Sequence, residues 1–93
     1  MIKSFKCKKT KRLFNDEQVR EFSAIERVAR RKLLMLNGAK ALNDLKVPPG
    51  NRLHPLHEDR EGQHAISIND QSRVCFIWKD DDAYDVEIVI DYH

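Results

Sequence analysis

The sequence predicts an α+β fold, with N-terminal helices packed on one face of a mainly antiparallel β-sheet. Three observations carry this expectation. Apolar residues recur at helical spacing as far as Gly38, the run Pro48-Pro49-Gly50-Asn51 then interrupts the chain, and from Gln63 onward the period is two. Helices followed by hairpin-linked strands segregate the two element types into separate layers. The 93 residues suffice for one domain, residues 1–93, and a domain of this size buries roughly 60–65% of its unfolded surface.

Met1 to Lys6 is short and mixed, with Ile2 and Phe5 as its apolar residues, and is a candidate first strand. Lys8 to Asp16 reads as a short basic helix anchored by Leu13 and Phe14. The clearest helix follows. Ser23-Ala24-Ile25-Glu26 has the capping-box form, in which serine and glutamate side chains satisfy orphan backbone donors reciprocally. Ile25, Val28, Ala29, Leu33 and Leu36 fall on one helical face, and Arg27, Arg30 and Arg31 on another. Glu26 sits four residues before Arg30 as a supporting pair, and Asn37-Gly38 is a good stop. Ala39 to Lys46 adds one or two helical turns. Beyond the prolines, Gln63 to Asn69 alternates with His64, Ile66 and Ile68 on one side. Asn69-Asp70-Gln71 reads as a turn. Arg73 to Trp78 sets Val74, Phe76 and Trp78 against Arg73, Cys75 and Ile77. Asp80-Asp81-Asp82 is a second turn, and Val86, Ile88 and Ile90 mark the last strand.

Net charge is only +2, but residues 1–60 balance at +8 and residues 61–93 at −6. A basic surface for a polyanion fits this asymmetry, and so does a pair of ordinary solvated faces. The arginine face of the long helix has the same two readings, an RNA or ribosome surface or a soluble exterior. No apolar run approaches the ~18 residues of a membrane span, and no apolar segment follows the N-terminal lysines as in a secretory signal. A cytoplasmic protein with no membrane partner is expected. Cys7 and Cys75 lie far apart without a metal-type spacing, so two reduced thiols are expected, and the spacing alone leaves a disulfide open.

His54-Pro55-Leu56-His57 has an HxxH spacing, but on an extended, proline-containing segment, and a metal site would need two further ligands. Neither a metal nor another cofactor is expected. General acid–base chemistry suits the histidines better, because imidazole titrates near neutrality. Arg73 between apolar neighbours suits phosphate clamping, where fixed positive charge meets charge developing in a transition state, and equally suits an exposed strand face.

The ordered blocks Asn51-Arg52-Leu53-His54-Pro55-Leu56, Asp59-Arg60-Glu61-Gly62-Gln63-His64, Ile66-Ser67-Ile68-Asn69-Asp70-Gln71 and Arg73-Val74-Cys75-Phe76-Ile77-Trp78 form a pattern. It continues through Val86-Glu87-Ile88 to the closing Asp91-Tyr92-His93. With the opening Met1-Ile2-Lys3-Ser4-Phe5, it resembles the HigB-like toxins of the RelE/ParE superfamily, also called plasmid maintenance killer proteins. The resemblance covers the whole chain and is tightest from Pro48 onward. It implies a small RelE-like domain that enters the ribosomal A site and cleaves messenger RNA there without a metal. The 2′-hydroxyl attacks, and a 2′,3′-cyclic phosphate results. It also implies a HigA-type helix-turn-helix antitoxin as partner, through which alone operator DNA is engaged.

Carried over position by position, the resemblance makes His54, Arg73, Asp91, Tyr92 and His93 the catalytic set. Arg73 would bind the scissile phosphate, Asp91 and His93 would form the acid–base pair, and Tyr92 would stack on a base. His57 and Arg60, with Arg27, Arg30 and Arg31, are the expected substrate-binding residues. The chain departs from the pattern at His57-Glu58, where Lys-Gly is frequent, at Ser67 for an arginine, and at Ser72 for a tryptophan or tyrosine. The terminal stretch Val89-Ile90-Asp91 is one residue longer than usual, which turns the end to the other face unless a bulge absorbs it. These departures point to a weaker toxin than its relatives. A ParE-like gyrase inhibitor and a catalytically weak antitoxin-binding protein are the alternative readings.

Overall fold

The computed structural model describes residues 1–90; Asp91, Tyr92 and His93 lie outside the described residues. Two helices, α1 (Lys8–Phe14) and α2 (Glu26–Gly38), precede four strands, β1 (His54–Pro55), β2 (Gln63–Ser67), β3 (Arg73–Lys79) and β4 (Asp82–Val89). The strands lie in sequence order and every neighbouring pair is antiparallel. Short connections between consecutive strands allow nothing else. The helices cover one face of this sheet, as the periodicity predicts.

The long helix begins later than its sequence signature implies. Ile25, not Ser23, occupies the cap position, and no side chain caps the helix. A 3-10 turn at Arg20–Phe22 precedes it and buries Phe22, beside the equally buried Val19. Burying a phenylalanine contributes about 2–3 kcal/mol, whereas a cap contributes about 1 kcal/mol, so packing displaces the capping box. Glu26 instead pairs with Arg30 at 2.9 Å. On the sheet-facing side of α2, Ala29, Leu33 and Leu36 are fully buried. Leu13 of α1 joins them, and Thr10 turns its hydroxyl inward to accept the Ile88 N–H at 3.0 Å. The expected helical turns after Ala39 are a single 3-10 turn, Leu42–Lys46. Asp44 accepts the Lys40 and Ala41 N–H groups there, at 2.9 and 3.1 Å.

The N-terminal segment is not a full strand. It runs parallel to the edge of β4 and touches it as two bridges, Ile2 to Ala83 and Phe5 to Val86. Both residues of β4 are core-facing and fully buried, although three positions separate them. Strict alternation forbids that, and a β-bulge permits it. The register runs from Cys75↔Glu87 to Ile77↔Tyr84, so β4 carries one extra residue, and Asp85 takes a φ of 51°. Ser4 holds the bulge by accepting the Asp85 N–H at 2.9 Å. The two-residue loop Asp80-Asp81 joins β3 to β4 with both φ angles positive, the twist-matched hairpin geometry. Asp82 therefore opens β4 rather than closing the turn. Ile90 lies past the strand end and is 42% exposed, outside the alternation that buries Val86 and Ile88.

Candidate active site

The sheet face turned away from the helices carries the candidate site. Directly paired residues share a face, so His54, Ala65, Cys75 and Glu87 form one row across all four strands. Ser67, Arg73 and Val89 form the neighbouring row. Sequence alternation already separated Cys75 and Arg73 from Val74 and Phe76. The register now sets His54 on that same open face. With strands ~4.8 Å apart and ~6.8 Å per residue pair along them, the Cα atoms of His54 and Arg73 stand about 12 Å apart. A phosphodiester fits between side chains projecting from such positions.

The floor of the face is small and apolar. Ala65 and Cys75 are fully buried, and Leu56 and Val89 pack beside them. Burial pushes the Cys75 thiol up to about 11, and four charges act on it as well: Arg60, Arg73 and Lys6 lower it and Glu87 raises it. Three cations and one carboxylate are thus gathered around a dry floor. Desolvation outweighs them, so the thiol is a packing group rather than a nucleophile.

His54 is held by the chain just before it. Its Nδ1 lies 2.8 Å from the carbonyl oxygen of Arg52. A carbonyl only accepts, so the neutral ring carries its proton on Nδ1 and its basic lone pair on Nε2. Arg73 opens β3, and its guanidinium donates to the carbonyls of Asn69 and Ser72, the latter at 3.0 Å. That turn is closed by the Asn69 side chain, which accepts the Gln71 and Ser72 N–H groups at 2.9 and 2.8 Å. Ser72, where the related pattern has an aromatic, is buried within it. Ser67 pairs with Arg73 across the strands and donates its hydroxyl to the Asn69 carbonyl at 3.0 Å.

Arg60 closes the 3-10 turn Glu58–Arg60. It reaches over the sheet, donating to Gln63 at 3.3 Å and to the Glu87 carboxylate at 2.6 Å. Lys6 approaches Glu87 from the other edge, at 3.8 Å. Glu87 and Lys6 were not singled out in the sequence. Their one signal was parity, since Glu87 stands between the core residues Val86 and Ile88 and so shares the face of Cys75. His57 is exposed on the connection between β1 and β2.

The arginines of α2 do not join this group. Arg27 and Arg31 are exposed on the helical layer, on the far side of the sheet from His54 and Arg73. Arg30 is committed to structure. It donates to the carbonyls of Leu13 at 3.2 Å and Glu17 at 2.7 Å, and pairs with Glu26 and Asp16. Asp91, Tyr92 and His93 fall outside the described residues; the strand that precedes them ends at Val89, opposite Arg73. No helix among the described residues is long and apolar enough to cross a membrane.

Comparison with known proteins agrees with this architecture. Residues 3–93 match the family described as the RelE-like toxin of the type II toxin-antitoxin system HigB. The chain is also similar to Toxin HigB-1 of Vibrio cholerae serotype O1, 37% identical over 82 residues that span 86% of each protein. A match over almost the whole length, on a two-helix, four-strand frame with an open basic face, leaves one assignment: the chain belongs to the HigB family of RelE-like type II toxins.

Proposed function

We propose that this toxin is a ribosome-dependent endoribonuclease that cleaves messenger RNA in the ribosomal A site by metal-independent acid–base chemistry. One observation carries the reading: His54, with its lone pair directed to Nε2, shares an open sheet face with Arg73 and Arg60. RNA cleavage through the 2′-hydroxyl requires a group that accepts its proton, fixed positive charge for the phosphorane, and an acid for the leaving oxygen. His54 accepts the proton at Nε2. Arg73, its guanidinium anchored to its own turn, and Arg60, anchored to Glu87, hold the phosphate. The family resemblance implies Asp91 and His93 as an acid–base pair and Tyr92 as the aromatic that stacks on a base; with His54 taking the proton, that pair supplies the acid for the 5′-oxygen. A 2′,3′-cyclic phosphate and a 5′-hydroxyl are the products.

His57 extends the substrate contact from the exposed connection beside β1, while Arg27 and Arg31 supply a second, helical surface for ribosomal RNA. Contacts of that kind are sequence-independent and weaken steeply with salt. The partner that restrains the toxin is a HigA-type helix-turn-helix antitoxin. The weaker activity expected from Ser67 and Ser72 belongs to the same reading.

Messenger RNA 5′-end mapping after brief induction tests it, with wild type set against His54→Ala and Arg73→Ala. Cuts within translated frames that vanish in both variants are the expected result. Growth arrest without such cuts overturns the reading and moves the protein to a gyrase-directed action. Absence of arrest moves it to antitoxin binding alone.

A further inference from the structure

Beneath the site lies a buried polar pair that the proposed chemistry does not use. Lys32 of α2 is 8% exposed and Asn51 is fully buried. The Lys32 ammonium donates to the Asn51 side-chain oxygen at 2.6 Å. The Asn51 side-chain nitrogen donates to the carbonyls of Leu45 at 3.1 Å and Val47 at 3.4 Å, and its backbone N–H to Pro48 at 2.9 Å. One amide therefore gathers both ends of the 45–52 connection onto α2. Burying a lysine costs free energy, and desolvation holds its pKa below the usual lysine range. An apolar residue at that position would avoid the cost.

What the pair holds is the residue before the site. Arg52 follows Asn51 directly and takes φ 49° and ψ 46°, a left-handed conformation that a residue with a side chain keeps only when its surroundings impose it. Its own side chain does not impose it, being 62% exposed and 3.8 Å from the exposed Asp70. The Arg52 carbonyl is the group that accepts the Nδ1 proton of His54.

We propose that Lys32 and Asn51 are positioning residues for His54: the buried pair locks the left-handed turn at Arg52, which aims its carbonyl at Nδ1 and so keeps the catalytic lone pair on Nε2. The proposal rests on His54 being the proton acceptor of the nuclease reading. It accounts for a buried ammonium bonded to a neutral amide and for a strained arginine in one connection. The tautomer of a histidine is set by the hydrogen bond its other nitrogen makes, so loosening the turn releases the ring to both tautomers.

The test uses the full chain uniformly labelled at histidine nitrogen, comparing wild type with Asn51→Ala and Lys32→Met. Imidazole nitrogen shifts read the His54 tautomer in the isolated protein. Cleavage on programmed ribosomes reads kcat and KM. Wild type is expected to show Nδ1 protonated and Nε2 unprotonated. Folded Asn51→Ala is expected to show a tautomer mixture and a kcat lowered about 10- to 100-fold, as for a catalytic group misplaced by a fraction of an ångström or more, with KM little changed. Lys32→Met keeps the amide and is expected to lose several-fold; it carries the test alone if Asn51→Ala does not fold. A lowered Tm with wild-type tautomer and kcat makes the pair merely structural and overturns the proposal. If wild type itself leaves ribosomal messenger RNA uncut, the nuclease reading has failed, and the tautomer alone decides whether the pair positions the ring.

Discussion

Arg60 and Glu87, 27 residues apart in sequence, meet at 2.6 Å across the open face of the sheet, over the buried thiol of Cys75. The arginine comes from the connection after β1 and the carboxylate from β4, so the bond spans β2 and β3. It fixes a cation beside the floor that separates His54 from Arg73. Lys6 completes the arrangement from the opposite edge. A basic face is built here around one acid, which sets the direction of the arginine.

Removing that acid is expected to cost both stability and substrate affinity. The side chains are 32% and 16% exposed, between the surface pairs that contribute little and the buried pairs whose breakage is severe. Glu87→Ala is therefore expected to lower the unfolding free energy by about 1–3 kcal/mol, and Glu87→Gln by less, since it still accepts a hydrogen bond. Urea denaturation of the two variants checks the order. A Glu87→Ala protein as stable as wild type contradicts it.

Acid sensitivity is expected from His64. Its ring stacks on Phe76 at a centroid distance of 6.3 Å, and its Nδ1 is buried without a hydrogen-bond partner among the described residues. Burial, and secondarily the nearby His54, hold its pKa below the ordinary histidine value of 6.5. The unfolded chain then binds a proton that the folded chain refuses. Stability from the neutral ring is present above the unfolded pKa and is lost as pH falls through the folded one. Unfolding free energies measured between pH 8 and pH 5 are expected to decline below about 6.5, and His64→Leu is expected to flatten that decline. An unchanged slope in the variant refutes the assignment.

Thiol chemistry separates the two cysteines. Cys75 is fully buried, with its pKa raised to about 11, whereas Cys7 is half-buried. At pH 8 only about one Cys75 thiol in a thousand is ionised, and the thiolate is the reactive form. Ellman's reagent is expected to titrate Cys7 in the native protein and Cys75 only after denaturant is added. Two thiols reacting at the same rate in the native state would show the floor to be open.

The three arginines of α2 are expected to behave differently on replacement. Arg30→Ala takes the donor from the Glu17 carbonyl and the second donor from the Leu13 carbonyl, which keeps the Asp16 N–H, and breaks the tie between α1 and α2, a loss of about 2 kcal/mol. Arg27→Ala and Arg31→Ala remove exposed charges and stay within about 0.5 kcal/mol of wild type. They are expected instead to weaken ribosome association and flatten its salt dependence. Thermal unfolding with ribosome pelleting at two salt concentrations distinguishes the two classes. A destabilised Arg27→Ala or Arg31→Ala would place those side chains in the frame.

Layer order and strand parity were legible because they are local. Helical and two-residue periods assigned Leu33 and Leu36 to the core and divided Phe76 from Cys75, and both divisions hold. The ordered blocks around His54 and Arg73 carried the family. The cap at Ser23 misled, because a good local motif lost to the burial of Phe22. Alternation at the chain end misled at Ile90. The bulge at Asp85 left no periodic mark, since Ser4, 81 positions away, holds it.

By itself, then, the sequence determined the two layers and the hairpin-linked strands from Gln63 onward, which follow from local period and short connections. Its ordered blocks carried the family, and the strand at His54–Pro55 it left as an extended segment. Apart from the Glu26–Arg30 pair, tertiary structure decided which charges meet. It retired Arg30 to the frame, left Arg27 and Arg31 on the helical layer, brought Glu87 to Arg60, and set Lys32 beneath the turn that aims His54. Those pairings join residues 13 to 27 positions apart. They are fixed only when burial makes an unsatisfied polar group too costly to leave, and no local pattern records that cost.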